Sequence, residues 1–536
     1  MGTNQYVNVY RKGSRLLVRE IDNHKQDILR PVWYKPHLYQ RSGKETGYTD
    51  YFGKPVSKMT YENIYEMSKA LKEYKDIPGE MWGNENPVFQ FLQEEYPDTS
   101  SFDPNNLTIG YIDIEVNTAT KVGDQLIDGG FPEPDEAKWP ITAICQYNSN
   151  MDKFYMFTTA EWEKEKSILA YRDKIEYVKA KTEEDLIKKW LTFVERTKPH
   201  IWTGWNVDLF DFPYIVNRIR ILFGEDEVQR LSVWGIVEEK HSKDDFGVEH
   251  TKYTIAGTPI IDMLDAYKKY CLSNREKYSL DYIMQAEFPN DETKRKLEFK
   301  ETTHGELYYN NPQLHTDYCC EDVKCTVEIE NARKFVFLCA SLSYYAHINI
   351  GDNFSIVKLW DAIMYNVAET RNIAVPLKKH NEKEEYEGAH VFETKVGLHK
   401  ALASFDAASM YPTCTRVLNC GFETLIKESE AHKHWKALCD LAKEHGDEEF
   451  LNALLKKNIT DYFVDKLDFP EYFTNYLVEH TITMSPNCYF FDVSKQSIQA
   501  EVTAKLYYER KDNKKAKQVW EKYAEACEEE LKRRCS

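Results

Sequence analysis

Two carboxylates, Asp113 and Glu115, stand two residues apart in LTIGYIDIEV (107–116), an otherwise apolar run. In an extended strand, side chains at i and i+2 share a face. Two carboxylates on one apolar face are costly to bury unless a cation lies between them, and oxygen-only ligands suit Mg²⁺ or Mn²⁺. A strand end that reaches solvent, with both groups hydrated, is the plainer alternative. A second segment, WNVDLFDFPY (205–214), sets Asp211 beside Phe210 and five residues after Asn206. It falls at a strand end or a helix start, where an aspartate ordinarily serves as a cap. A third, YCCED, spaces Tyr318 and Asp322 i, i+4. On a helix that puts phenol and carboxylate on one face, a turn apart, which is also the look of a surface pair.

The surrounding sequence supplies elements to position these groups. Near-continuous apolar character marks 107–116 as a buried strand, and 141–148, 152–158 and 200–207 read as further strands. TEEDLIKKWLTFVERTK (182–198) has the spacing of an amphipathic helix. Strands alternating with helices predict an α/β domain. Before it, YVNVY (6–10) and RLLVREI (15–21) read as strands and 61–74 as a helix, so the first hundred residues form a mixed domain. Residues 232–257 read as a long hairpin with a charged tip, and 384–412 as strands around a turn. Helices dominate from about 425, and 499–536 reads as one long polar helix.

The chain has 536 residues, enough for three or four domains at roughly 150 residues each. Lys plus Arg is 70 and Asp plus Glu is 88, a formal charge of −18. Taken alone this disfavours a nucleic-acid partner, which usually meets a basic surface; a local basic groove and metal-holding carboxylates reconcile the two. Twelve cysteines show no C-x-x-C spacing, so free thiols in a reducing cytoplasm are expected. The N-terminus lacks an apolar signal core, Tyr6 stands where a myristoylation motif needs Ser or Thr, and no apolar run is long enough to span a membrane.

In that order within one α/β block, a D-x-E strand, N-x₃-F-D and Y-x₃-D resemble the 3′–5′ exonucleases of the DnaQ-like, ribonuclease H-like superfamily. GFPEPDEAKWPITAI (130–144), TGWNVDLFDFPYIVNRI (203–219), YSLDYI (278–283) and KLWDAIMYN (358–366) narrow the resemblance to family B replicative DNA polymerases, in particular those of T-even-like bacteriophages. YEGAH (386–390) is similar to the family's exonuclease–palm junction, and SFDAASMYP (404–412) to its motif A. The resemblance implies two Mg²⁺ (or Mn²⁺) ions held by Asp113, Glu115, Asp211 and Asp322, with Tyr318 orienting the attacking water. It implies Asp406 as a palm metal ligand and Tyr411 as a gate that excludes a 2′-hydroxyl. It also implies Arg510, Lys511 and Lys514 as a fingers patch for the triphosphate of a deoxynucleotide. Phe131, between Gly130 and Pro132, falls where the family positions a frayed primer end; it either wedges against a base or packs in a turn. Asn206 and Phe210 join it as expected contacts to single-stranded DNA.

The family's motif B and motif C find no counterpart. No D-x-D follows Asp406, and Asp465 and Asp468 read as helix-surface residues. One metal-holding aspartate does not sustain two-metal phosphoryl transfer. The expected organisation is an N-terminal domain (1–104), an exonuclease domain (105–345), a return to the N-terminal domain (346–379), a partial palm with a helical insertion (380–496), and the first half of the fingers (497–536). A second polypeptide is expected to carry the rest of palm, fingers and thumb. No sliding-clamp contact is expected from this chain, and His432 and His434 in the insertion lack a third metal ligand. A non-catalytic nucleic-acid-binding protein that kept the fold, and a stand-alone exonuclease, are the rival readings. The first predicts damaged carboxylates, and the second leaves motif A unexplained.

Overall fold

The computed structural model describes residues 4–535 other than 75–76, 78, 101, 124, 244–246, 248, 298–303, 379–392, 407–408 and 464–468. YEGAH, Ala407 and Ala408 of the motif A segment, Asp465 and Asp468 therefore lie outside the described residues. The chain forms two compact units. One comprises Met1–Leu38, Met59–Asp76 and Asn84–Asn366, the other Tyr39–Lys58, Ile77–Gly83 and Val367–Ser536.

The first unit is built on a six-stranded mixed sheet. Its order is Ile175–Lys179, Lys153–Thr158, Ile141–Asn148, Ile109–Val116, Ile201–Gly204, Ile260–Asp262. Ile109–Val116 pairs antiparallel with Ile141–Asn148 and parallel with Ile201–Gly204, so the Asp113 strand is central. Both faces are covered. Ile112 and Ile114 point into a core shared with the helices Glu183–Thr197 and Asp211–Phe223, where Trp190 and Trp202 are fully buried. Ile109 and Tyr111 enter the opposite core, against Pro312–Arg333 and Phe335–Ala346. Asp113 and Glu115 continue the Tyr111 face, which fixes the helix they meet.

That helix, Pro312–Arg333, is held at many points. Asn311 caps it by accepting the Leu314 N–H at 3.0 Å, with Pro312 at the first position, where its missing N–H costs nothing. In its second turn the buried Asp317 accepts from Trp162 Nε1 (2.7 Å), Ser167 Oγ (2.8 Å) and the Ile168 N–H (3.0 Å). At its far end Glu330 accepts the Val336 N–H at 2.9 Å. The N-terminal three-stranded sheet is tied to the larger one by Arg19, which is fully buried. Its guanidinium pairs with Asp27 and donates to the carbonyls of Lys198, Pro199 and Gly257 and to Thr258 Oγ1.

The second unit holds the sheet in which Ile373–Ala374 pairs parallel with Tyr48–Asp50. Residues 420–492 form a helical body with its own core, including Leu438, Phe450, Leu454, Phe473 and Phe490. There Asp447 caps Glu448–Leu455 and accepts from the hydroxyls of Tyr462 and Tyr472. The last helix, Ile498–Cys535, covers the stretch expected to be one long helix. One expectation fails. Residues 393–406 form no strand, and Asp406 lies in an irregular segment rather than at a strand end. A strand needs a neighbour for its N–H and C=O groups, and this segment finds none among the described residues.

Asp317 lies away from the carboxylates yet fixes the helix that carries Tyr318 and Asp322. Asp317→Ala leaves an indole N–H, a hydroxyl and a backbone N–H without their acceptor, so denaturant unfolding is expected to show a loss of about 3 kcal/mol or more. Asp317→Asn, which keeps one carbonyl acceptor, should lose less. A loss under about 1 kcal/mol in Asp317→Ala would show that the anchor is dispensable.

Candidate active site

Asp113 and Glu115 lie on one face of the central strand; Glu115 is buried and Asp113 partly so. Asp211 arrives from the next crossover. After Ile201–Gly204 the chain turns at Asn206, a non-glycine residue at φ 65°, a conformation asparagine tolerates. The turn starts so close to the central strand that a Cβ on Gly204 would stand 2.4 Å from the Ile112 carbonyl oxygen and 2.2 Å from Val207 Cγ1. Asp211 opens the helix Asp211–Phe223, and its Oδ1 accepts the Ile114 N–H at 3.1 Å, so it bonds to the strand between the two acidic positions. Tyr318 and Asp322 come from the opposite core on Pro312–Arg333. Tyr318 is buried.

The carboxylates act on one another. Burial pushes the Asp113 carboxyl well above its ordinary range, and the charges of Asp322, Asp211 and Glu115 push it further. Glu115 is raised to about 8 by burial and then by Asp322. Asp211 rises to about 8 because burial outweighs its backbone hydrogen bonds. Asp322 rises to about 6, burial outweighing the attraction of Lys296. Asp322 Oδ1 is buried with no hydrogen-bond partner among the described residues. A cluster of oxygens that repel one another when ionised, one of them an unused acceptor, fits a divalent cation.

Two residues of the site escaped the sequence reading. Lys296 Nζ lies 2.7 Å from Asp322 Oδ2 and 4.5 Å from the centre of the Tyr318 ring. Burial opposes its charge, and the Asp322 carboxylate more than restores it. Within DETKRKLEF nothing marks this lysine among its charged neighbours. Asp262, at the end of strand Ile260–Asp262, accepts the N–H groups of Asn206 (3.1 Å), Asp208 (2.9 Å) and Leu264 (2.8 Å), and so shapes the turn that delivers Asp211. Its signal was present in IID (260–262), an apolar strand ending in an acid, as in YIDIE.

The remaining expected residues fall in two places. Phe131 is exposed, and its ring lies 5.7 Å from that of Phe210, so the structure pairs the two aromatics beside Asp211. In the second unit, Ser409 precedes the helix Met410–Leu418, Tyr411 is exposed in its first turn, and Asp406 is exposed upstream. Met410–Leu418 packs along the start of Ile498–Cys535, with the Arg416 guanidinium 5.0 Å from the Tyr507 ring and Arg510 Nη1 donating to Ser409 Oγ at 3.4 Å. Lys511 and Lys514 are exposed on the same long helix.

A mixed α/β domain with buried, mutually repelling carboxylates describes a class of site, and comparison with known proteins places it. Residues 92–283 match the model of the exonuclease domain of DNA polymerase family B, and residues 357–526 match that of DNA polymerase family B. The DNA-directed DNA polymerase of Escherichia phage RB69 is 31% identical over 459 residues, covering 81% of this chain and 49% of that protein. That of Enterobacteria phage T4 is 27% identical over 543 residues, covering 97% and 55%. The DNA polymerase delta catalytic subunit of Oryza sativa subsp. japonica is 22% identical over 53% of this chain and 26% of that protein. The chain thus belongs with the family B DNA polymerases, with their exonuclease domain and part of their polymerase domain. It spans about half the length of the two phage relatives. No helix among the described residues is long and apolar enough to cross a membrane.

The raised carboxyls make a stability prediction. Without metal, the unfolded chain releases these protons near pH 4, while in the folded site Glu115 and Asp211 hold theirs to about pH 8, Asp322 to about pH 6, and Asp113 is likewise pushed up. Over that window the unfolded state binds fewer protons, so this contribution to stability is present at low pH and is lost as pH rises. In chelator, the melting temperature of the wild type is expected to fall more between about pH 5 and about pH 8 than that of Asp113→Asn with Glu115→Gln. Equal slopes would contradict the clustering of charge.

Proposed function

We propose that this chain is the exonuclease-bearing part of a family B replicative DNA polymerase and removes nucleotides from the 3′ end of single-stranded DNA with two divalent ions. The observation that carries the reading is the convergence of Asp113, Glu115, Asp211 and Asp322 from three elements on one buried locus. These four side chains would hold Mg²⁺ or Mn²⁺. When bound, such ions neutralise the scissile phosphate and raise the acidity of a coordinated water. The Tyr318 hydroxyl keeps its proton at neutral pH, because burial and then the Asp322 charge push its ionisation up. It is thereby fitted to orient the attacking water by a hydrogen bond. Lys296 fixes Asp322 and lends positive charge beside the phosphate. The Phe131–Phe210 pair offers a stacking surface for unpaired bases at the primer end. All four carboxylates are present, which speaks against a non-catalytic binder.

In the second unit Asp406 would serve as a palm metal ligand, Tyr411 as the steric gate beneath the incoming sugar, and Arg510, Lys511 and Lys514 as contacts to the triphosphate. A second polypeptide would add the remaining catalytic aspartates, the returning fingers helix and the thumb. Residues 393–406 support this: Val396, Leu398, Leu402 and Phe405 are all more than 80% exposed, an apolar stretch with no sheet to join among the described residues.

The direct test is Mg²⁺-dependent degradation of 5′-labelled single-stranded DNA by the purified chain. Asp113→Ala with Glu115→Ala is expected to lower the rate by at least about a hundredfold. An inactive wild type, or an active double variant, would overturn the exonuclease reading. Primer extension by this chain alone would overturn the claim that its polymerase site is incomplete.

A further inference from the structure

Next to Tyr318 the same helix carries two adjacent thiols with different surroundings. Cys320 Sγ lies 3.8 Å from Cys145 Sγ on the neighbouring strand Ile141–Asn148. Cys319 reaches the carboxylate strand itself. Its Sγ is 3.7 Å from the Asp113 carbonyl oxygen, and Sγ with one carboxylate oxygen each of Asp113 and Glu115 all lie within 4.8 Å of one another. Cys319 is fully buried. Independently of that triad, Asp322 Oδ1, whose carboxylate acts on both Asp113 and Glu115, is buried with no hydrogen-bond partner among the described residues.

We propose that Asp113, Glu115 and Cys319 form a mixed oxygen–sulfur site for a thiophilic divalent cation of the Zn²⁺ and Cd²⁺ class. The inference rests on the exonuclease reading for its consequence: such an ion takes the carboxylates that Mg²⁺ requires and arrests the activity.

The chemistry follows from ligand preference. Mg²⁺ is hard, keeps several waters in an octahedral shell and gains nothing from sulfur. Zn²⁺ accepts four ligands, with thiolate and carboxylate among its usual donors. The general affinity order places Zn²⁺ above Mn²⁺ for shared ligands, and soft sulfur widens the gap. As the metal–sulfur bond forms, the Cys319 S–H bond breaks and its proton leaves to solvent, with no change of oxidation state. Water would complete the shell.

The test uses the full metal-free chain and Cd²⁺ alone as probe, read by the ultraviolet charge-transfer absorption of cadmium thiolate. Relative to wild type, Cys319→Ser is expected to lose one cadmium–sulfur unit, while Cys320→Ser retains it. The exposed Cys414 and Cys527 add a background common to all. Asp113→Asn with Glu115→Gln should weaken the Cys319-dependent signal at least about tenfold, since even partners of a metal ligand change affinity by that much. A lone thiol would not respond to that change. Identical spectra for wild type and Cys319→Ser, or an affinity indifferent to the two amides, would overturn the proposal. Should Cys319→Ser fail to fold, cadmium-edge X-ray absorption on the wild type at one equivalent decides: one sulfur with oxygens supports the site, oxygen alone or several sulfurs overturns it. No Mg²⁺-dependent DNA degradation by the cadmium-free chain, with the Cys319-dependent signal present once cadmium is added, would count against the exonuclease reading only. Retained degradation with no Cys319 signal would count against this inference only.

Discussion

Negative charge held in an apolar seat is the constraint around which the first unit is arranged. Ionising Asp113, Glu115, Asp211 and Asp322 together places like charges where water cannot screen them. Proton retention answers this in part, as the raised carboxyls show, and Lys296 answers it for Asp322. The rest is left for cations, and the fold is built so that they cannot be traded for rearrangement. Glycine at 204 lets the Asp211 turn cross the strand, Asp262 locks that turn, and Asp317 locks the opposing helix. Held protons and Lys296 relieve the repulsion of these oxygens in part, and the proposed divalent ions would relieve the rest. In an enzyme of this class the same rigidity positions a phosphate.

Much of this was legible in the sequence, for identifiable reasons. The central strand showed its acids against an apolar background, and Tyr318 and Asp322 kept helical spacing, so both elements and their residues could be read directly. The boundaries of Arg15–Ile21 and Ile141–Asn148 coincide with the runs read from the sequence. Lys296 was not legible because its role comes from burial beside a residue 26 positions away, in a segment of unbiased charge. Asp262 and Arg19 were missed for the same reason: they bond to backbone groups, which leave no trace in residue identity. Cys319 was noted as a free thiol, and only the packing of its helix on the strand brought its sulfur to the carboxylates.

The second unit shows what local pattern leaves undecided. The segment 393–406 has the alternation of a strand and yet is not one, since a strand is a property of a pair. Its apolar residues face solvent, while the helical body over 420–492, which includes the segment from about 420 to 480 read as a helical insertion, closes a core of its own. Local sequence was sufficient where burial is satisfied within the segment and insufficient where it depends on a neighbour.

The central claim is that the four carboxylates are a divalent metal site. Electron paramagnetic resonance of free Mn²⁺, titrated against the metal-free chain near neutral pH, measures this without reference to DNA or activity. Two bound ions per chain are expected in the wild type, with weakened binding in Asp322→Asn and none at this site in Asp113→Asn with Glu115→Gln. Equal Mn²⁺ binding in all three would contradict it.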